Sequence, residues 1–248
     1  MTAPPSSSLP TWCPTNGDAV TAAPFTSGRR LVLLRHGQTA WNLEGRAQGH
    51  SDVALDETGH AQAARVAPLL AGYAAVALWS SDLRRARQTA SYVEQATGLR
   101  AATDPRLREF DVGERSGLTI AEFAGKFPEE HARWAAGHVT GGVPGAETIA
   151  EVQARMVPAL RGMLDSLGPG ATGLVVSHGA CIRVALLGLL GLPEEADETW
   201  HGLENCGWAI VSEHRTGRLR LASYNETAHT GLLPPEGTPD FTSDAPSG

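Results

Sequence analysis

Lysine is nearly absent from this chain. Of its 20 basic residues only Lys126 is a lysine. Any anion site must therefore rest on arginine and on backbone, and arginine offers a rigid planar fork that matches phosphate. Positive charge is scarce altogether: 27 acidic residues leave a net charge of −7. An acidic field of that size argues against nucleic acid or an anionic membrane as the main partner, although a local cationic pocket stays open. Cysteine is scarce too. Cys13, Cys181 and Cys206 are too few and too scattered for a disulfide framework or a zinc ribbon. Reduced thiols in a cytoplasmic protein are the expectation. No apolar run approaches the roughly 20 residues of a membrane span. No basic stretch followed by an apolar one marks a signal peptide. The nine histidines form no H-E-x-x-H pattern and no cluster with aspartate, so no metal is expected.

The length of 248 residues and an apolar share of 42% suffice for one domain with a buried core. Residues 1–28 are rich in Pro, Ser, Thr and Ala and read as a flexible leader, which Trp12, Cys13 or Phe25 can still dock onto the body. Residues 229–248 read as a flexible tail. The body, 29–228, alternates between strand and helix patterns. Leu31–Leu34, Val76–Trp79 and Leu174–Val176 are short continuous apolar runs, the pattern of strands buried on both faces. Trp208–Val211 and Leu219–Ala222, with Gly217 between them, read as a hairpin at the sheet edge. Asp56 or Thr58 caps one helix pattern, and Ser81 or Asp82 a second, where Leu83, Ala86, Ala90 and Val93 recur at helical spacing. Glu147–Leu167 carries a broad apolar face, and Pro158 inside it predicts a kink or a split. Ala180–Leu190 is almost wholly apolar and reads as a buried helix. The expected class is α/β: a three-layer sandwich, with a mostly parallel central sheet and helices on both faces. A small helical cap is expected over about 115–146.

In open α/β sheets, ligands bind beyond the carboxyl ends of the strands. Three such ends carry polar residues suited to phosphate: Arg35-His36-Gly37-Gln38-Thr39, Ser80-Ser81-Asp82 with Arg84, Arg85 and Arg87 following, and Ser177-His178-Gly179. A parallel sheet brings them to one crevice. A neutral imidazole is nucleophilic and can carry a phosphoryl group. Arginines neutralise the non-bridging oxygens. A carboxylic acid can protonate the leaving oxygen. Glycine after each histidine lets backbone come close. Each residue also has an ordinary reading taken singly: a hydrogen-bonded histidine, a solvated basic helix face, and packing for Trp41, Phe110 and Trp134.

Five segments in order carry a resemblance. They are Leu33–Asn42, Ser80–Ala90, Leu107–Gly113, Pro144–Glu147 and Val175–Gly179. With these the chain resembles the histidine phosphatase (phosphoglycerate mutase-like) superfamily over about 30–225. The resemblance implies His36 as the phosphorylated nucleophile, Arg35, Arg85 and His178 as the rest of the phosphate pocket, and Glu109 as proton donor and acceptor. It implies Asn42 and Thr39 at the phosphate. Gly37, Gln38, Gln48 and Gly179 complete the residues expected to bind substrate. Asp111 and Glu114 are rival carboxylates off the motif position. Two departures stand out. The family's Trp-Glu-Gly reads Arg115-Ser116-Gly117, and its Gly-Glu-Ser reads Gly145-Ala146-Glu147-Thr148. Both are expected at the pocket rim, where they would alter substrate contacts.

The resemblance further implies a metal-independent, cofactor-free phosphatase acting on a small phosphate ester. The alternatives are a phosphoglycerate mutase-type transfer and a non-catalytic phosphate-binding protein. A compact stretch from Glu109 to His178, and a tail without lysine, favour hydrolysis over transfer. Sugar phosphates, glucosyl-3-phosphoglycerate, cobalamin-precursor phosphates and phosphoproteins are candidate substrates. Oligomeric state stays open, a homodimer included.

Overall fold

The computed structural model describes residues 28–136 and 142–228. The expected leader and tail, and Trp12, Cys13 and Phe25, lie outside the described residues. Six strands form one sheet in the order β3-β2-β4-β1-β5-β6. They are β1 Arg30–Arg35, β2 Ala77–Ser80, β3 Ala101–Thr103, β4 Thr172–Ser177, β5 Trp208–Glu213 and β6 Leu219–Glu226. β3, β2, β4 and β1 run parallel, and β5 and β6 add an antiparallel edge. The short β3, with its single half-buried residue, carries no apolar run and is invisible to periodicity.

Seven α-helices accompany the strands among the described residues: α1 Ala40–Glu44, α2 Glu57–Ala71, α3 Arg84–Thr97, α4 Ile120–Lys126, α5 Pro128–Ala135, α6 Ile149–Asp165 and α7 Gly179–Leu190. Strand residues alternate between the two faces of the sheet. Leu31 and Leu33 join Val175 and Ala209 in a core with α6 and α7. Val32 and Leu34 join Leu78, Leu174 and Val176 in a second core with α2 and α3. These two cores make the three-layer α/β sandwich. Both faces of β1 and β4 are covered, which is why those strands are continuous apolar runs.

Two helix details differ from the sequence reading. Asp56 caps α2 through Gly59 N–H at 2.7 Å, but α3 starts after Leu83 without a side-chain cap. Ser81 and Asp82 are engaged elsewhere. In addition, α6 is not split at Pro158 but continues through it to Asp165. A proline inside a helix costs about 3 kcal/mol or more. Val152, Met156, Leu160, Met163 and Leu164 are all buried along the same helix. Each large side chain contributes roughly 1.5–3 kcal/mol, so packing outweighs the lost hydrogen bond.

The helices that follow β1 and β4 lie on opposite faces of the sheet. Neighbouring parallel strands that feed opposite faces leave a crevice between their carboxyl ends. The register aligns Arg35 with Ser177, so the next residues, His36 and His178, open side by side into that crevice. The insertion between β3 and α6 forms its own small cluster of Phe123, Trp134 and Val143. It is stitched to the loop after β1 by Ala47 N–H to the Leu118 carbonyl at 3.0 Å and Gly117 N–H to the Ala47 carbonyl at 2.8 Å.

Candidate active site

The backbone of His36 is fixed on every side. Its N–H donates to the Ser177 carbonyl at 3.0 Å, and its carbonyl accepts from Cys206 N–H at 3.2 Å and from Asn205 Nδ2 at 3.1 Å. Gly37 N–H donates to Thr89 Oγ at 3.1 Å. A Cβ on Gly37 would come within 2.5 Å of the Gly59 carbonyl oxygen. Gly37 thus lets β1 lean on the start of α2, rather than clearing space in the pocket. Gly179 differs: a Cβ there would press on Arg35 Cδ and Nε at 3.2 Å, so this glycine makes room for the guanidinium.

One donor organises the two imidazoles. Arg85 Nε–H is shared between His36 Nε2 at 3.2 Å and His178 Nδ1 at 3.1 Å. Both nitrogens must therefore be bare acceptors. His36 carries its proton on Nδ1, which donates to the Gly37 carbonyl at 2.7 Å. His178 carries its proton on Nε2, which donates to Ser81 Oγ at 2.8 Å. The rings lie 5.1 Å apart, nearly edge to face. Burial, then the charges of Arg85 and Arg35, hold His36 well below the ordinary imidazole range. Burial and the Arg85 charge do the same for His178. Both rings are neutral at neutral pH, and the one lone pair of His36 Nε2 rests on the Arg85 Nε–H.

Arg85 also donates from its two terminal nitrogens to the Ser51 and Gly49 carbonyls, each at 2.8 Å. Burial pushes it down to about 10, still charged at neutral pH. Its neighbours Arg84 and Arg87 point to solvent. Arg35 is buried and donates from Nη1 to the Leu203 carbonyl, while its Nε has no hydrogen-bond partner. An unpaired buried N–H on a cation is costly unless an anion completes it. Asn42 stands at the start of α1, in the loop after His36. Its Oδ1 accepts from Thr39 N–H at 3.1 Å and Thr39 Oγ at 3.0 Å in a capping box around α1, so its Nδ2 hydrogens are not used in that box. Gln48 sits on the Arg85-binding loop, with its side-chain oxygen buried and unpartnered. Gln38 turns away: its Nε2 donates to Asp56 at 3.0 Å.

Glu109 lies at the start of α7. Its carboxylate accepts from the N–H groups of Phe110 at 2.9 Å, Cys181 at 2.9 Å and Ala180 at 3.2 Å. The positive end of the helix and its unpaired N–H groups suit a carboxylate there. The two rival carboxylates go elsewhere. Asp111 accepts from Gly113 N–H at 2.9 Å, and Glu114 pairs with Lys126 at 3.3 Å on the surface.

Several sequence expectations shift. Ser80 and Asp82 do not point to a phosphate: Ser80 Oγ donates to the Ser81 carbonyl at 2.8 Å, and Asp82 grips Arg108 at 2.6 Å. Ser81 orients His178 instead. Arg115, expected at the rim, is buried, its guanidinium stacked on Phe123 at 4.5 Å and Trp134 at 4.8 Å. Glu147, also expected at the rim, turns inward to Arg155 at 2.8 Å. Trp134 and Phe110 are packing residues. Arg155, Asn205 and the Leu203 carbonyl have no motif to announce them, and Thr89, though inside the Ser80–Ala90 segment, has no role that the segment assigns. Among the described residues no group of three His, Cys, Asp or Glu gathers as for a metal ion, and no helix is long and apolar enough to cross a membrane.

Comparison with known proteins agrees with this geometry. Residues 31–227 match the histidine phosphatase superfamily, branch 1. The chain is 34% identical over 212 residues to a "Probable phosphoglycerate mutase GpmB" of Yersinia enterocolitica, covering 79% of this chain and 98% of that protein. Among solved structures, a mycobacterial glucosyl-3-phosphoglycerate phosphatase complexed with VO3 superposes with a TM-score of 0.75 at 36% identity, over 80% of this chain and all (100%) of that one. A phosphoserine phosphatase from Entamoeba histolytica, in complex with 3-phosphoglyceric acid, gives 0.69 at 29% identity, over 80% of this chain and 98% of that one. With its two neutral histidines bridged by a buried arginine at paired strand ends, and a match spanning the body of the chain, this protein belongs to the histidine phosphatase superfamily.

Proposed function

We propose that the protein is a phosphatase that hydrolyses a small organic phosphate monoester through a phosphohistidine on His36. The observation that carries this reading is the bare, neutral Nε2 of His36, held by Arg85 beside an Arg35 with an unpartnered N–H. When the ester binds, Arg85 Nε–H turns from His36 Nε2 to a non-bridging oxygen; the freed Nε2 lone pair attacks phosphorus in line, and the bond to the leaving oxygen breaks. Arg35, Arg85 and Asn42 bind the non-bridging oxygens as charge redistributes. His178, kept neutral and oriented by Ser81, offers its face of the pocket without adding repulsion to the arginines. Glu109 takes up a proton as the ester binds, passes it to the leaving oxygen, and as carboxylate takes one from the water that then hydrolyses phosphohistidine. These residues need no metal or cofactor for the sequence of steps. The helices α4 and α5, with the described residues 142–146, are the cap we assign to selecting the organic group.

The likeness to phosphatases of glucosyl-3-phosphoglycerate and phosphoserine supports hydrolysis of a small ester. The names of the curated relatives favour a second reading, mutase-type transfer. A phosphate-release screen over sugar phosphates, phosphoglycerates and phosphoserine, with His36→Ala as control, decides between them. Free phosphate without a bisphosphoglycerate requirement supports the first. Interconversion of 2- and 3-phosphoglycerate at a comparable rate supports the second.

A further inference from the structure

The side chain and the backbone of Glu109 are held by two different helices. Its carboxylate rests on α7, as described. Its backbone is gripped from α6 by Arg155. All five donors of that guanidinium are used. Nη1 donates to the carbonyls of Arg106 and Arg108, each at 2.8 Å. Nη2 donates to the carbonyl of Glu109 and to Glu147 Oε2, each at 2.8 Å, and Nε donates to Glu147 Oε1 at 2.8 Å. The segment after the turn Pro105–Leu107 belongs to no strand or helix, so its carbonyls need donors from outside. Glu147 closes the arrangement. Its Oε2 accepts from Asp111 N–H, and its own N–H donates to the Asp111 carbonyl, both at 2.8 Å. Burial works against the charge of Glu147, yet Arg155 and that amide hold its carboxyl below the usual range. The two helices are themselves joined, by Gln153 Nε2 to the Val184 carbonyl at 2.9 Å.

We infer that Arg155 and Glu147 are positioning residues for Glu109: the pair fixes the backbone from which the proton donor reaches the leaving oxygen. The inference rests on the reading of Glu109 as proton donor. It also gives the altered Gly145-Ala146-Glu147-Thr148 stretch a duty away from substrate, since its Glu147 is the carboxylate that locks Arg155. A lysine at 155 keeps the charge but supplies three donors from one point. It cannot hold three carbonyls and a bidentate carboxylate at once.

The test compares kcat/KM for 4-nitrophenyl phosphate, whose leaving group needs no proton, with benzyl phosphate, whose leaving group does. Glu109→Gln is the reference and should slow benzyl phosphate by about 10²–10⁴ while sparing the nitrophenyl ester. Arg155→Lys should slow benzyl phosphate by about 10–100-fold through kcat, with the nitrophenyl ester within about threefold. Glu147→Gln should move the same way and less. If Glu109→Gln discriminates between the esters and neither other variant does, the positioning inference is wrong and the proton-donor reading stands. If Glu109→Gln itself slows both esters equally, the proton-donor reading fails and the inference with it. Should Arg155→Lys not fold, the near-isosteric Glu147→Gln decides alone.

Discussion

The crevice at the ends of β1 and β4 and the insertion between β3 and α6 obey different physics. In the crevice, polar groups are buried because backbone geometry has prepared partners for them. His36, His178, Arg35 and Arg85 are all buried, and their positions follow from strands covered on both faces. The insertion has a core of its own, which among the described residues is Phe123, Trp134 and Val143 with a few partly buried neighbours. Its helices are short and mostly exposed. Arg115 fills its centre by stacking on the two aromatic rings. One region is built to hold a phosphoryl group in one geometry. Helices α4 and α5 can change composition with less effect on that geometry, because among the described residues they join the loop after β1 through bonds around their edge: Arg46 with Glu122 at 2.9 Å and with the Gly117 carbonyl at 2.8 Å, Ser51 Oγ with Ser116 Oγ at 2.8 Å, and a few backbone pairs.

This contrast makes predictions that separate the two regions. Arg85→Ala should cost most. It strips the donor that fixes both imidazoles and a charge from the phosphate, and removing one such group costs on the order of 10²–10³ in kcat. The loss should be similar for every ester in a panel; a loss confined to some esters would place Arg85 outside the shared chemistry. Arg35→Ala should behave alike.

Trp134→Ala should destabilise by about 3–5 kcal/mol if it unfolded the whole domain's packing, but the insertion's core is a satellite. The expected outcome is a loss of about 1–2 kcal/mol in chemical denaturation, within the common range for single substitutions, with esters re-ranked by up to about tenfold. A uniform loss across the panel would show that the insertion shares the pocket's role.

The last prediction concerns stability rather than turnover, in its dependence on pH. The folded-state pKa values of His36 and His178 are depressed. Between those values and the unfolded value near 6.5 the unfolded chain binds protons that the folded one does not, so stability rises with pH through that window and is lost on acidification below about 6.5. Each histidine contributes a slope of up to about 1.4 kcal/mol per pH unit. Urea midpoints measured from pH 7 down to 5 should fall, and His178→Asn should flatten the fall. An unchanged slope in that variant would mean the imidazole is not held neutral.

The same contrast explains what could be read in the sequence. Strands buried on both faces show as continuous apolar runs, and chemistry gathered at their ends falls beside them. Arg35, His36, Ser177 and His178 were therefore readable together, and the five segments added Arg85 and Glu109. Support that arrives from far along the chain leaves no such trace. Arg155 is one arginine on an amphipathic helix, and Asn205 and Leu203 lie in a loop. Arg115 looked like a rim residue because its burial depends on two aromatic rings that pack only once α4 and α5 fold back on it. Pro158 looked like a break because periodicity cannot weigh packing against a lost hydrogen bond.

The central claim is that His36 carries the phosphoryl group to water. The direct measurement is rapid quench of the enzyme with a phosphate monoester labelled on phosphorus, followed by peptide mapping. The account predicts an acid-labile, alkali-stable label on the peptide containing His36, formed before free phosphate appears and absent from His36→Ala. Label on another residue, or undiminished phosphate release by His36→Ala, would contradict it.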